Sequence, residues 1–275
     1  MGEEQWRGTL YPARLPSFHR IPAPAALADR VRWFWIPEWN LAPGRVSRQE
    51  LLPFPALNLV VQPDGVTLSG PATRHAFRDL SGRGWAVGML LRPAAVPVFV
   101  PDPGSLRDVE IPFPAPDLLA AVSAAMTDGD GDGGDGASRR SAAVAAASRW
   151  LEAHVPAARA DAALANRLED LIRSDTALTR VDQAAEQLGV SVRTLQRLAR
   201  RHVGLPPLAM IRRYRLQEAA ERVRLQPGIP IADIAAELGY ADHAHLAAAF
   251  REVLGFTPSS YRRASGGSGQ PAGGT

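Results

Sequence analysis

The chain reads as an α+β protein: a small β-rich, barrel-like N-terminal domain, a helical connector, and an all-α C-terminal domain made of one small helical unit used twice around a linker helix. Three observations predict it. Short apolar runs punctuated by turn residues fill roughly the first 113 positions, from Asp117 the texture changes to Ala, Leu and charged residues at helical spacing, and the last third repeats itself. With 275 residues, 46% of them hydrophobic, the chain has enough material to bury a sizeable core.

The first unit, residues 1–115, opens on Met1-Gly2-Glu3-Glu4-Gln5-Trp6, acidic where a signal peptide would be basic. No stretch approaches about 18 uninterrupted apolar residues, so a soluble, cytoplasmic protein without a membrane partner is expected. Its strands are carried by Val31-Arg32-Trp33-Phe34-Trp35-Ile36, Ala56-Leu57-Asn58-Leu59-Val60-Val61 and Trp85-Ala86-Val87-Gly88-Met89-Leu90-Leu91. Between them stand Pro63-Asp64-Gly65, Ser69-Gly70-Pro71 and Ser81-Gly82-Arg83-Gly84, which supply the backbone angles that turns require.

The connector spans 116–173, with apolar points at Val144, Trp150, Leu151, Leu164, Leu168 and Leu171 that could pack between domains or dimerise. Within it, residues 127–137 read as a flexible Gly/Asp linker. Asp128, Asp130, Asp132 and Gly133 fit the first half of a calcium-binding loop, but position 12 falls on Arg139, where a bidentate Glu is required. No metal site is expected there, and with only His19 and His75 the N-terminal domain is poorly equipped for one.

Residues 174–264 contain the repeat. Ala185-Glu186-Gln187-Leu188-Gly189-Val190 returns as Ala235-Ala236-Glu237-Leu238-Gly239-Tyr240, and beyond the glycines Leu195 matches Leu246, Gly204 matches Gly255 and Pro207 matches Pro258. In the first copy Thr179 is a plausible N-cap for a helix with Val181, Ala184, Ala185 and Leu188 inward. Gly189 ends that helix in a left-handed turn, and Ser191 caps a second helix with Leu195 and Leu198 inward. The second copy has Ile231, Ile234, Ala235 and Leu238, a turn at Gly239, a cap at Asp242, then Leu246 and Phe250. Two short helices joined by a tight glycine turn are the grammar of a helix-turn-helix. Between the copies a helix from Pro207 to about Leu225 gives a rod of about 28 Å, near the ~34 Å between successive major-groove faces on one side of DNA. The final residues, 265–275, should be a disordered tail.

Composition removes several chemistries. Without cysteine there are no disulfides, thiolate nucleophiles or Cys-bound metals, and without lysine there is no Schiff base and no Walker A loop, so P-loop ATPases and pyridoxal enzymes are excluded. No paired-His motif, nucleophile elbow or dinucleotide glycines stand in a suitable context, so the expectation is a non-enzyme without a cofactor, the alternative being an N-terminal domain that is a small enzyme or only a dimerisation module. Net charge is only +3, with the excess in residues 174–275, where 13 Arg face 9 acids. That is a modest footprint, and the pattern has to decide.

The pattern is specific. Gly239-Tyr240-Ala241-Asp242-His243-Ala244-His245-Leu246, then Phe250-Arg251 and Gly255-Phe256-Thr257-Pro258-Ser259-Ser260-Tyr261-Arg262, resembles the DNA-binding domain of the AraC/XylS family of bacterial transcription regulators. The resemblance covers about a third of the chain and implies a seven-helix, two-part domain that binds double-stranded promoter DNA and changes transcription. RNA polymerase as a partner and a homodimer go with it. The N-terminal domain resembles, less specifically, small sensor-like domains that precede this unit, through its Trp-rich first strand, Gly70-Pro71-Ala72-Thr73-Arg74 and Gly88-Met89-Leu90-Leu91-Arg92-Pro93.

In the first copy the outward side chains of the second helix are Val192, Arg193, Gln196 and Arg197. Arg can grip guanine and Gln adenine in two-pronged fashion, each worth about 1–3 kcal/mol of discrimination. Arg200 and Arg201, further along, suit phosphates, which fix register without reading sequence. In the second copy the equivalent positions are His243, Ala244, Ala247 and Ala248, so this helix is expected to clamp the backbone, helped by His243 and Arg251, and to read little. For a small-molecule effector, a carboxylate or planar compound, the side chains to inspect are Trp33, Trp35, Arg74, His75 and Arg92, with Trp39 and Phe54 beside them.

Overall fold

The structure is a computed structural model that describes residues 17–51, 54–127 and 136–266. The Gly/Asp linker at 128–135 and most of the tail lie outside those residues.

Among the described residues, nine strands and a helical hairpin make the first body. β1 (Ser17–Pro22), β2 (Val31–Asn40), β8 (Val87–Leu91), β4 (Asn58–Gln62), β5 (Gly65–Ser69) and β9 (Glu110–Pro112) lie side by side in that order, and β7 (Arg83–Trp85) extends the pairing of β2. Every pairing is antiparallel, with Trp35 opposite Gly88 and Asn58 opposite Leu90. β3 (Val46–Leu51) and β6 (Ala76–Ser81) form a separate ribbon. The face over which a barrel would close is instead covered by α2 (Pro116–Thr127) and α3 (Gly136–His154). Leu118, Val122, Ala143, Ala147 and Leu151 interlock there with Phe34, Ile36, Leu59, Leu68 and Met89 of the sheet. The expected connector is thereby divided: α2 and α3 share the sheet's core, whereas α4 (Ala160–Ser174) packs through Leu168 and Ile172 onto the C-terminal helices. β8 is buried at every residue because its second face is covered too, where Trp33, Ala56 and Leu90 meet Phe54. A short helix, α1 (Val96–Phe99), and a 3-10 turn at Pro103–Leu106 connect β8 to β9.

The C-terminal body is helical throughout: α5 (Val181–Leu188), α6 (Val192–His202), α7 (Pro207–Leu225), α8 (Ile231–Glu237), α9 (His243–Leu254) and α10 (Pro258–Gly266). α7 serves two cores. Met210, Ile211 and Tyr214 close over α5 and α6, while Leu216, Ala219, Ala220 and Val223 close over α8, α9 and α10. Both glycine turns are left-handed, at φ 66° for Gly189 and 67° for Gly239. Ser191 accepts from the Thr194 N–H at 3.1 Å and Asp242 from the His245 N–H at 2.7 Å, so each recognition-type helix begins on a side-chain cap. One cap differs from expectation. α5 begins one residue later than a Thr179 cap requires, and its free N–H groups at Thr179 and Arg180 are met from within the helix by Gln183 Oε1, at 3.0 Å each.

A polar seam joins the bodies. Glu169, buried on α4, accepts from Arg32 at 2.7 Å and lies 3.2 Å from Arg92, while Tyr214 of α7 donates to its other oxygen at 3.1 Å. Asp170 beside it takes Arg92 at 2.6 Å and also Arg32. Beside these ions, Trp33, Phe54 and Tyr214 stack edge to face at 5.8 and 6.3 Å, running from the sheet to the linker helix.

Candidate nucleic-acid interface

α6 is amphipathic because its inward positions, Leu195 and Ala199, recur at a four-residue step and its outward positions are arginine or glutamine. Val192, Arg193, Gln196, Arg197, Arg200 and Arg201 are all exposed. Among the described residues none of the four arginine side chains has an ion pair or hydrogen bond, in contrast to Arg180 on Asp182 and Arg222 on Glu218 and Glu237. The helix contains no acid. Four unneutralised guanidiniums on one short exposed face make a surface suited to a polyanion.

α9 presents the same geometry with different chemistry. His243, Ala244, Ala248 and Arg251 are exposed, as the 51-residue offset predicts, but Ala247 is buried. Ala247 borders the apolar stripe of Leu246, Phe250 and Leu254, and a methyl is too short to rise past its neighbours, so the position that projects as Gln196 in α6 is closed over in α9. His245 is structural: its ring Nδ1 accepts from the Ala241 N–H at 3.3 Å and the ring packs on Tyr240 with centroids 5.3 Å apart. Together with Asp242 it closes the start of α9, a pairing that the Asp-x-x-His spacing hints at.

The residues singled out for an effector do not share a cavity. Trp33 lies under Arg20 and against Phe54, Trp35 donates to Asn58 at 3.0 Å, and Arg92 is held by Glu169 and Asp170. His75 touches α9 through the Val253 carbonyl at 3.1 Å, and Arg74 is exposed beside it. Trp33, Phe54 and Arg92 therefore belong to the seam. A cleft of about 730 Å³ opens elsewhere, bordered by Glu38, Trp39, Asn40, Arg83, Trp85 and Arg139. Of the inspected side chains only Trp39 reaches it. Among the described residues no three His, Asp or Glu side chains gather in a group that could hold a metal ion.

Two capped, glycine-hinged helix pairs on one linker helix, with a cationic exposed face on the first, define a double helix-turn-helix DNA-binding domain. Residues 184–264 match the family described as Helix-turn-helix domain, and this portion of the chain is a domain of the AraC type. Residues 19–112 match a Domain of unknown function, DUF6597. The chain is 34% identical over 118 residues to a putative AraC-like transcription regulator of Streptomyces antibioticus, covering 43% of this chain and 37% of that protein. It is 35% identical over 127 residues to the HTH-type transcriptional regulator VirS of Mycobacterium tuberculosis, covering 45% and 36%. The chain thus spans little more than a third of the length of the curated relatives it matches. Among solved structures, ToxT of Vibrio cholerae covers 84% of this chain and 97% of its own, at 11% identity and a TM-score of 0.45, too distant a likeness to build on.

Proposed function

We propose that the protein is a sequence-specific DNA-binding regulator of transcription in which α6 reads bases and α9 holds the backbone. The observation that carries this reading is the face of α6, with Arg193, Gln196 and Arg197 exposed, unpaired and borne on a capped recognition-type helix. Arg200 and Arg201 continue the same face toward phosphates. On α9, His243 and Arg251 serve as clamp groups beside the helix N-terminus, while Ala244 and Ala248 can touch little more than a thymine methyl. The reading assigns the chain no catalytic role. Promoter DNA is its partner, and RNA polymerase and a second copy of the chain follow from the family alone. Among the described residues no helix is long and apolar enough to cross a membrane, consistent with action in the cytoplasm.

Selection of bound fragments from a random DNA pool tests the reading. Recovery of a discrete motif is the expected result, and enrichment of nothing beyond bulk DNA defeats it. The cleft beside Trp39 and Trp85 is the place to seek an effector, since a guanidinium, Arg83, stands next to two indoles there. A carboxylate that raises the melting temperature and is recovered unchanged marks a sensor. One that is converted marks an enzyme.

A further inference from the structure

The internal repeat places Gly204 after α6 and Gly255 after α9 at equivalent positions, and both are left-handed, at φ 78° and 79°. The N-terminal domain presses on both. A Cβ at Gly204 would stand 2.5 Å from the backbone N of Gly104 and from the carbonyl carbon of Pro103, so the two main chains meet with no room for a side chain. The Gly204 carbonyl, just past the last turn of α6, accepts from Arg107 at 3.1 Å. At the other unit, a Cβ at Gly255 would stand 3.1 Å from His75 Cε1, and both the backbone N–H and the ring Nδ1 of His75 meet the Val253 carbonyl, at 2.9 and 3.1 Å. Carbonyls at a helix C-terminus lack intrahelical partners and carry partial negative charge, so each end gains a donor it otherwise lacks.

The two contacting loops are one rigid piece. Gly70 N–H donates to the Val109 carbonyl at 2.9 Å, Asp108 N–H to Pro71 at 3.2 Å, and Thr73 N–H to Asp108 Oδ1 at 2.6 Å. Asp108 itself holds a left-handed backbone, φ 58°, the one non-glycine among the described residues to do so. Such a conformation costs on the order of 1–3 kcal/mol and persists where its surroundings over-determine it. Besides this saddle, α7 and the touch of Arg215 and Thr179 against Leu238–Gly239 join the two units. A single long helix flexes along its length, whereas a helix plus a second rigid strut does not.

We propose that the N-terminal domain is a spacing gauge: its saddle, residues 70–75 and 103–109, grips the equivalent ends of both recognition helices through His75 and Arg107 and so sets the distance between the two DNA half-sites the protein accepts. This rests on the DNA-reading function above. His75 and Arg107 are positioning residues, outside the DNA-contacting face.

The test uses the full chain. Because it contains no cysteine, Glu186→Cys on α5 and Ala236→Cys on α8, both exposed, allow one spin label on each unit, and their separation is read by pulsed dipolar spectroscopy. The parental background should give one narrow distance. H75A/R107A should broaden it, and His75→Gln, which keeps a donor, should restore part of the narrowing. In a selection from DNA with two half-sites at varied spacing, H75A/R107A should accept spacings about one base pair to either side, roughly 3.4 Å each, with unchanged preference within each half-site. An unchanged distance distribution, or an unchanged single spacing, overturns the inference. So does loss of half-site preference together with spacing. If the parental chain selects no DNA, the DNA-reading function itself falls and this inference with it. Arg107→Ala alone removes one hydrogen bond from an exposed side chain and repeats the test if the double variant fails to fold.

Discussion

In α6 a serine cap, a buried leucine at 195, a left-handed glycine at 204 and an arginine face make one recognition unit. In α9 an aspartate cap, a buried leucine at 246 and a left-handed glycine at 255 repeat the frame, but the face is His243, Ala244 and Ala248. What the two share is what packing and backbone geometry require. What separates them is what only an outside partner would feel. Two copies of one fold in one chain thus act as each other's control: a substitution at a shared position should cost both units alike, and one at a divergent position should not.

The largest effect belongs to the shared core. Leu195→Ala and Leu246→Ala each remove a fully buried leucine, and each should lower stability by about 2–5 kcal/mol by chemical denaturation. A loss confined to one of them breaks the claim that the units are structural equals. Next comes the divergent face. Arg197→Ala should relax base preference at one position of the site by about 1–3 kcal/mol, roughly 5- to 150-fold in relative affinity, while His243→Ala weakens binding to all sequences alike. Competition binding with single-base variants of the selected site measures both, and equal relaxation of sequence preference would end the asymmetry. Smaller again, the turn glycines sharpen the comparison. Gly189→Ala meets empty space and pays only for the left-handed backbone, about 1–2 kcal/mol. Gly239→Ala should cost more, because the new methyl lands 2.3 Å from an Arg215 nitrogen and 3.0 Å from Thr179 Cγ2.

The repeat made the inner positions legible before any coordinates: glycines, caps and leucines recur only if the same helices pack the same way. Two things were not legible. Ala247 shares its offset with Gln196, yet whether a methyl at that place is covered depends on neighbours that periodicity does not name. A seam between domains and a ligand pocket look alike in sequence for a physical reason. Arginine beside aromatics is the composition of both, and the partners that decide the matter lie far along the chain, with Arg32 separated by 137 positions from Glu169 and His75 by 178 from Val253. One signal was present. Ala165, Leu168, Glu169 and Ile172 fall on a single helical stripe, and an acid on an apolar stripe in an arginine-rich chain asks for a buried guanidinium.

The smallest predicted effect compares the joints themselves. Position 202 in the first unit matches 253 in the second. Val253 offers only its carbonyl to the N-terminal domain, whereas His202 offers a buried ring, whose Nδ1 donates to the Pro93 carbonyl at 2.9 Å. Burial lowers the His202 pKa below its ordinary value, Arg201 pushes the same way, and the Pro93 bond and Asp161 oppose without winning. The folded state therefore prefers the neutral ring. Its contribution to stability is complete above the unfolded value of about 6.5 and is lost as pH falls through the lower folded value. Acidification should loosen the first joint and leave the second, which has valine there, unaffected by this group. Hydrogen exchange should accelerate across residues 192–203 more than across 243–254 as pH drops below about 6.5, after correction for intrinsic rates. His202→Gln, which keeps a donor for Pro93 but cannot charge, should flatten that difference. A difference of the same size in the glutamine variant places the pH dependence elsewhere, and with it any role for this joint in distinguishing the two units.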